Sequence, residues 1–164
     1  MIRLFPVLLA LAACSTAGPS QECSATQSGV ARVVDRAGLL PAATTAALDA
    51  KLGGFERATR HQIVVVTIKN FGARSIEEAS RMLGTELKVG RAREDDGVLV
   101  ALDDRQVRFA VGDGLTRRLT PTEMAHILGR DIRPAFRARD FSKGINDGVD
   151  ALVQALTPTR GTTT

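Results

Sequence analysis

Apolar residues along this chain fall into blocks of two different periods. Gln62-Ile63-Val64-Val65-Val66-Thr67-Ile68 is a continuous apolar run of strand length, bounded by His61, Asn70 and Gly72, and predicts a central strand covered on both faces. Gly97–Leu102 and Gln106–Val111 read as two further strands, and the Asp103-Asp104-Arg105 between them is short enough only for a hairpin. Between the first and second of these strands, Ile76, Ala79, Leu83 and Leu87 share one helical face. Ser75 and Glu78 form a capping box at its start, and Gly90 follows its end. A strand–helix–strand unit is implied, with a right-handed crossover and parallel strands.

The flanking segments follow the same logic. Val30–Asp35 carries β-branched residues in partial alternation and predicts a short edge strand, ended by a turn at Gly38. Pro41 suits a first helical turn, and Leu48, Leu52 and Phe55 at i, i+4, i+7 predict a helix to Thr59, in which each of Gly53 and Gly54 costs about 1 kcal/mol relative to Ala. Thr120-Pro121-Thr122-Glu123 is a second capping box, opening a helix toward Arg133 that Pro134 ends or kinks. The last helix, Ser142–Leu156, turns Ile145, Val149, Leu152, Val153 and Leu156 inward. The sum is an α/β domain with a mixed sheet of about four strands, a parallel core plus a β-hairpin, flanked by helices.

The N-terminal segment has a different pattern. Met1–Ala13 has a positive start at Arg3, an apolar run from Leu4 to Leu11 and then small residues, which is the layout of an export signal and too short to span a bilayer. Leu11-Ala12-Ala13-Cys14 resembles the bacterial lipobox, in which the signal is cut before the cysteine and that cysteine is acylated. The alternative is a plain secretory signal with Cys14 left as a thiol. Lipidation at Cys14 implies membrane anchoring, a polar tether over residues 14–28, a folded body over 29–156 and a loose tail over 157–164. Ser15 stands where an inner-membrane retention signal usually has Asp, which favours outer-membrane sorting by resemblance. The domain would then face the periplasm or exterior.

Composition narrows the function classes. The 164 residues carry 22 Lys plus Arg against 18 Asp plus Glu, 44% hydrophobic residues, no Trp, no Tyr and 6 Phe. That supports a real core, but it stocks poorly the stacking surfaces of single-stranded nucleic-acid or sugar readers. The net charge of +4 is spread, without the clustered stripe that phosphate-backbone binding needs, so no nucleic-acid partner is expected. The two cysteines, Cys14 and Cys23, give no disulfide framework.

Candidate chemistry gathers at one sheet end. Antiparallel pairing centred between Asp104 and Arg105 puts Asp96 opposite Asp113, with Asp95 adjacent and His61 close. Opposed like charges are destabilising unless a cation or a raised pKa relieves them. Gly97, Gly112 and Gly114 would let backbone carbonyls reach an ion, and Ca²⁺ or Mg²⁺ is the expected occupant. Asp-Asp-Gly and Gly-Asp-Gly are equally ordinary turn chemistry on a solvated rim. Asp103 and Asp104 read as hairpin turn residues. Arg117 and Arg118 would serve as anion contacts beside a metal, or as solvated charges ahead of a helix. Arg130, Arg133 and Arg137, at i, i+3, i+7, suggest a basic stripe that Pro134 interrupts. No nucleophile elbow, zinc-protease His pair, phosphate-loop Lys or Cys–His couple is present.

Several stretches together resemble the TPM domain family: Val34-Asp35-Arg36-Ala37-Gly38-Leu39-Leu40, Phe55-Glu56, His61–Thr67, Asp95-Asp96-Gly97-Val98-Leu99, Asp104-Arg105, Val111–Leu115, Pro134-Ala135-Phe136, Asp140-Phe141, Gly144-Ile145 and Gly148-Val149. The resemblance covers Val30 to Leu156. It implies a three-layer α/β/α sandwich in a family of exported, often membrane-tethered proteins. Some members bind a divalent cation near Asp-Asp-Gly, and acid phosphatase activity has been proposed for a plant member. Carried over, it implicates Asp95 and Asp96 first, then Asp113 and Asp35. Three departures stand out: Arg60 and Arg139 where Gly is usual, and Leu87-Lys88-Val89-Gly90 in place of a Trp-Gly-Ile-Gly-like stretch. These departures are expected to touch substrate contacts more than the fold.

Two functions of different class follow as expectations. One is a lipid-anchored envelope accessory protein with a cation-binding TPM domain that assists or modulates a membrane-protein complex. The other is a metal-dependent acid phosphatase acting on phosphate monoesters.

Overall fold

The computed structural model describes residues 31–72 and 74–157; the expected export signal, Cys14, the expected tether and the residues after Thr157 lie outside them. The strands are β1 (Val33–Asp35), β2 (Gln62–Thr67), β3 (Gly97–Leu102) and β4 (Val107–Val111). They form one sheet in the order β1-β2-β3-β4, with β1, β2 and β3 parallel and β4 antiparallel to β3. Helix α1 (Ala42–Thr59) links β1 to β2, and α2 (Ile76–Glu86) links β2 to β3. After β4 come a 3-10 turn (Asp113–Leu115), α3 (Pro121–Ile127), a π turn (Leu128–Ile132), α4 (Arg133–Arg137) and α5 (Phe141–Leu156).

Alternation along the buried strands builds two cores. Ile63, Val65, Val98, Val100, Leu102 and Phe109 face one side, where they meet Leu48, Leu52 and Phe55 of α1 and Ile145, Val149 and Leu152 of α5. Val64, Val66, Leu99 and Ala101 face the other, where Ala79 and Leu83 of α2 and Phe71 cover them. This is the expected three-layer arrangement of a mixed four-stranded sheet. Because α1 and α2 cover opposite faces while both crossovers step the same way along the sheet, the two crossovers have opposite hands, so one departs from the usual right-handed rule.

The capping residues act as the sequence predicts: Ser75 Oγ accepts from Glu78 N–H at 3.2 Å and Thr120 Oγ1 from Glu123 N–H at 3.2 Å. Asp140 caps α5 by accepting from Lys143 N–H at 3.0 Å. Pro134 does not end its helix. It has no N–H to give and crowds the carbonyl a turn back, and just ahead of it the turn widens so that Arg133 N–H reaches Leu128 O. The helical path then continues as α4.

Candidate functional site

The register of the β3–β4 hairpin is the one the sequence predicts, with Val98 opposite Val111 and Leu102 opposite Val107. At its tip Asp103 is buried and accepts from Arg105 N–H and Gln106 N–H, both at 2.8 Å, which makes it a turn residue as expected. At the other end, Gly112 N–H bonds Gly97 O at 2.9 Å, and Asp96 and Asp113 come next.

Beyond that bond the rim differs from three carboxylates around a cavity. Asp95 adopts a left-handed backbone (φ 43°), so the chain turns there and it is Asp95, not Asp96, that meets Asp113. Asp95 Oδ2 accepts from Asp113 N–H at 2.9 Å, and Asp95 O from Gly114 N–H at 3.1 Å. Both side chains are exposed. The space left by the glycines is filled by the chain itself: a Cβ on Gly112 would lie 2.1 Å from Asp95 O, and one on Gly114 2.0 Å from Glu94 O. These glycines let two segments of backbone meet.

Asp96 is buried and bound to Arg91. Its Oδ1 accepts from Arg91 N–H at 3.0 Å, and its Oδ2 from Arg91 Nε at 2.9 Å and from Nη2. Burial pushes the Asp96 carboxyl up, but the hydrogen bonds and charge of Arg91 outweigh it and hold the carboxyl below the ordinary carboxylate range. His61 Nδ1 lies 3.7 Å from Asp96 Oδ2, buried and without a hydrogen-bond partner, so the expected proximity of His61 is observed. Gln62 closes the same corner, its Oε1 accepting from Gly90 N–H at 2.7 Å.

Asp35 is not part of this rim. It ends β1, at the opposite sheet end from the residues that precede β2 and β3. There it accepts from Gly38, Leu39 and Leu40 N–H at 2.9, 3.1 and 3.0 Å and from the Thr67 hydroxyl. Desolvation raises its pKa, but these bonds prevail and lower it. Arg118 is turned to the end of α5, where its Nη1 donates to Leu156 O at 3.0 Å, while Arg117 is exposed. The basic stripe splits, because Arg130 pairs with Asp131 at 2.8 Å whereas Arg133 and Arg137 line a cleft with Arg105.

Calcium and magnesium need several oxygen ligands free to converge. Both Asp96 oxygens are held by a cationic side chain or its backbone, one Asp95 oxygen is held by Asp113 N–H, and among the described residues no three of His, Cys, Asp and Glu form a metal-holding group. In this conformation Asp95, Asp96 and Asp113 do not converge as one ligand group. Sequence reasoning missed Arg91 altogether, since a loop partner five residues away leaves no periodic signal.

The two single-residue departures have a backbone explanation. Arg60 (φ 66°) and Arg139 (φ 58°) both occupy the left-handed region, Arg60 as the cap of α1 with its N–H on Glu56 O at 2.8 Å. Glycine is favoured there for its conformational freedom, so these arginines carry a backbone cost that glycine would avoid.

Comparison with known proteins gives a consistent fold. A solution NMR structure of the N-terminal domain of a P. gingivalis protein is 29% identical, with a TM-score of 0.71, over 77% of this chain and 82% of that one. The N-terminal domain of a Corynebacterium glutamicum protein (14% identity, TM-score 0.61, 93% of each chain) and the BA42 protein of Bizionia argentinensis (19%, 0.63, 71% and 81%) share the fold. No curated protein matches. The family model described as the TPM domain matches residues 33–155, so the chain belongs to the TPM domain family.

Proposed function

We propose that this chain is a lipid-tethered accessory protein of the cell envelope that works by binding a membrane-protein complex and not by turnover. Export by Met1–Ala13 and acylation at Cys14 would hold the TPM domain on about fifteen residues of tether beside its partner. The observation that supports the non-catalytic part is the engagement of Asp96: Arg91 donates to both of its oxygens and supplies internally the positive charge that a cation would otherwise bring. No specific observation favours the phosphatase alternative, which needs that carboxylate open to metal.

The test has two arms. Labelled palmitate should enter the wild-type chain in a bacterial host and not Cys14→Ser. Purified protein should show no Ca²⁺- or Mg²⁺-dependent hydrolysis of p-nitrophenyl phosphate and the same melting temperature in Ca²⁺ and in chelator, since only native-state binding raises it. Metal-dependent turnover or stabilisation that disappears in Asp95→Ala or Asp96→Ala would overturn the non-catalytic reading. An unacylated, fully soluble chain would overturn the tether.

A further inference from the structure

A cleft of about 460 Å³ opens where the β3–β4 hairpin meets the π turn and α4. It lies past the carboxyl end of β3, the sheet end at which open α/β folds generally take ligands, and a six-residue strand of about 20 Å separates it from the Asp95–Asp96 rim. Its floor is apolar: Val107, Ile132 and Phe136 line it, and Phe136 is braced edge-on by Phe141 with ring centroids 5.0 Å apart. Its mouth is cationic. Arg105, Arg133 and Arg137 are exposed around it, against the single carboxylate of Asp104, which approaches Arg105 only to 3.8 Å. Neither Arg133 nor Arg137 forms an ion pair among the described residues.

The helix irregularity forms one wall of this cleft. Leu128, Ile132 and Arg133 belong to the π turn or its junction with α4, and the widened turn ahead of Pro134 sets where Ile132 and Arg133 lie relative to the hairpin. Guanidinium groups are suited to phosphate and carboxylate oxygens, because their planar donors match those acceptors in pairs and remain charged at every physiological pH. An inorganic ion would leave the apolar floor uncovered, whereas a volume in the small-ligand range admits a larger body.

We propose that this cleft is a binding site for a small organic anion, a phosphate or carboxylate group carried on an apolar or aromatic body, with Arg105, Arg133 and Arg137 holding the charge and Phe136, Ile132 and Val107 receiving the body. The site is independent of the accessory-protein reading, and its failure leaves that reading standing.

Amide NMR of the full chain, titrated with phenyl phosphate, inorganic phosphate, benzyl alcohol and, separately, phosphatidylcholine vesicles containing phosphatidylglycerol, tests it. Phenyl phosphate should shift the signals of Gln106, Val107, Ile132 and Arg137 saturably, with an affinity about tenfold above either half-ligand, equivalent to about 1.4 kcal/mol. The double variant Arg133→Gln/Arg137→Gln changes two exposed side chains and should keep the dispersed spectrum while losing at least about tenfold in affinity. Phenyl phosphate shifts that are absent, that centre on Asp95–Asp113, that survive the double variant, or that inorganic phosphate reproduces at equal affinity would each overturn the proposal. A response to vesicles alone would overturn it too, assigning the arginines to a membrane surface.

Discussion

Arg91→Met should expose how much of the rim depends on one ion pair. The substitution keeps a long apolar stem and removes two guanidinium donors from Asp96 Oδ2, leaving that buried carboxylate only the Arg91 backbone N–H on Oδ1 and a histidine nitrogen 3.7 Å away. A hydrogen bond to a charged group contributes about 1.5–3 kcal/mol, and stranding a fully buried charge costs about 3–5 kcal/mol. The Asp96 side chain is only 4% exposed, but water entering at the open Arg91 position would partly replace the lost donors, which brings the expected cost of its stranded charge to about 2 kcal/mol. For a folded body of this size that corresponds to a melting temperature lower by about 6–10 °C.

Acid separates this mechanism from lost packing. Arg91 holds the folded-state pKa of Asp96 below its unfolded value, so its contribution is complete above the unfolded value of about 3.9 and is lost as pH falls through the folded one. The difference between wild type and Arg91→Met should therefore be full near neutral pH and close in the acid range below about pH 4. Thermal melts across pH, with Asp96→Asn and the double variant completing a cycle, measure it. A coupling energy under about 0.5 kcal/mol would mean that Arg91 does not stabilise the Asp96 charge. So would a difference that persists undiminished into strong acid, since that would assign the effect to the arginine stem.

Two further outcomes follow from backbone geometry. Arg60→Gly and Arg139→Gly should each stabilise the fold by about 1 kcal/mol, read as a higher denaturant midpoint with unchanged slope, because a side chain in the left-handed region carries a penalty that glycine lacks. Gly114→Ala should destabilise by about 3 kcal/mol or disrupt the 94–95 segment, because its Cβ would lie 2.0 Å from a backbone carbonyl with no rotamer to yield. Lost exchange protection of the Gly114 amide would report it.

Local and periodic signals in the chain specify the main strands and helices, the parallel pairing of β2 with β3 and the antiparallel pairing of β3 with β4, but not the β1–β2 pairing or the helical path through Pro134. A run of β-branched residues from Ile63 to Val66 has few ways to be buried, Ser75 and Thr120 carry their capping acceptors locally, and three residues between Leu102 and Gln106 force the hairpin and hence its register. These signals are short-range or periodic, so they can be read along one dimension. Even the glycines missing at Arg60 and Arg139 are visible in the chain as departures, although their left-handed backbone is not.

What the acidic residues do follows from three-dimensional packing. Asp35 and Asp96 are both negative residues in family-like stretches, yet the parallel sheet sends them to opposite ends. The left-handed turn at Asp95 hands Asp113 to the wrong neighbour for a three-carboxylate cluster, and Arg91 reaches Asp96 through a loop with no period. The same holds for Arg105, Arg133 and Arg137, which a hairpin tip and a widened helical turn bring to one cleft across about thirty residues of chain. Side-chain direction in loops depends on individual dihedral angles and on what packs above them. A residue pattern carries elements and strand register, but it does not carry the angle at which a loop leaves a sheet.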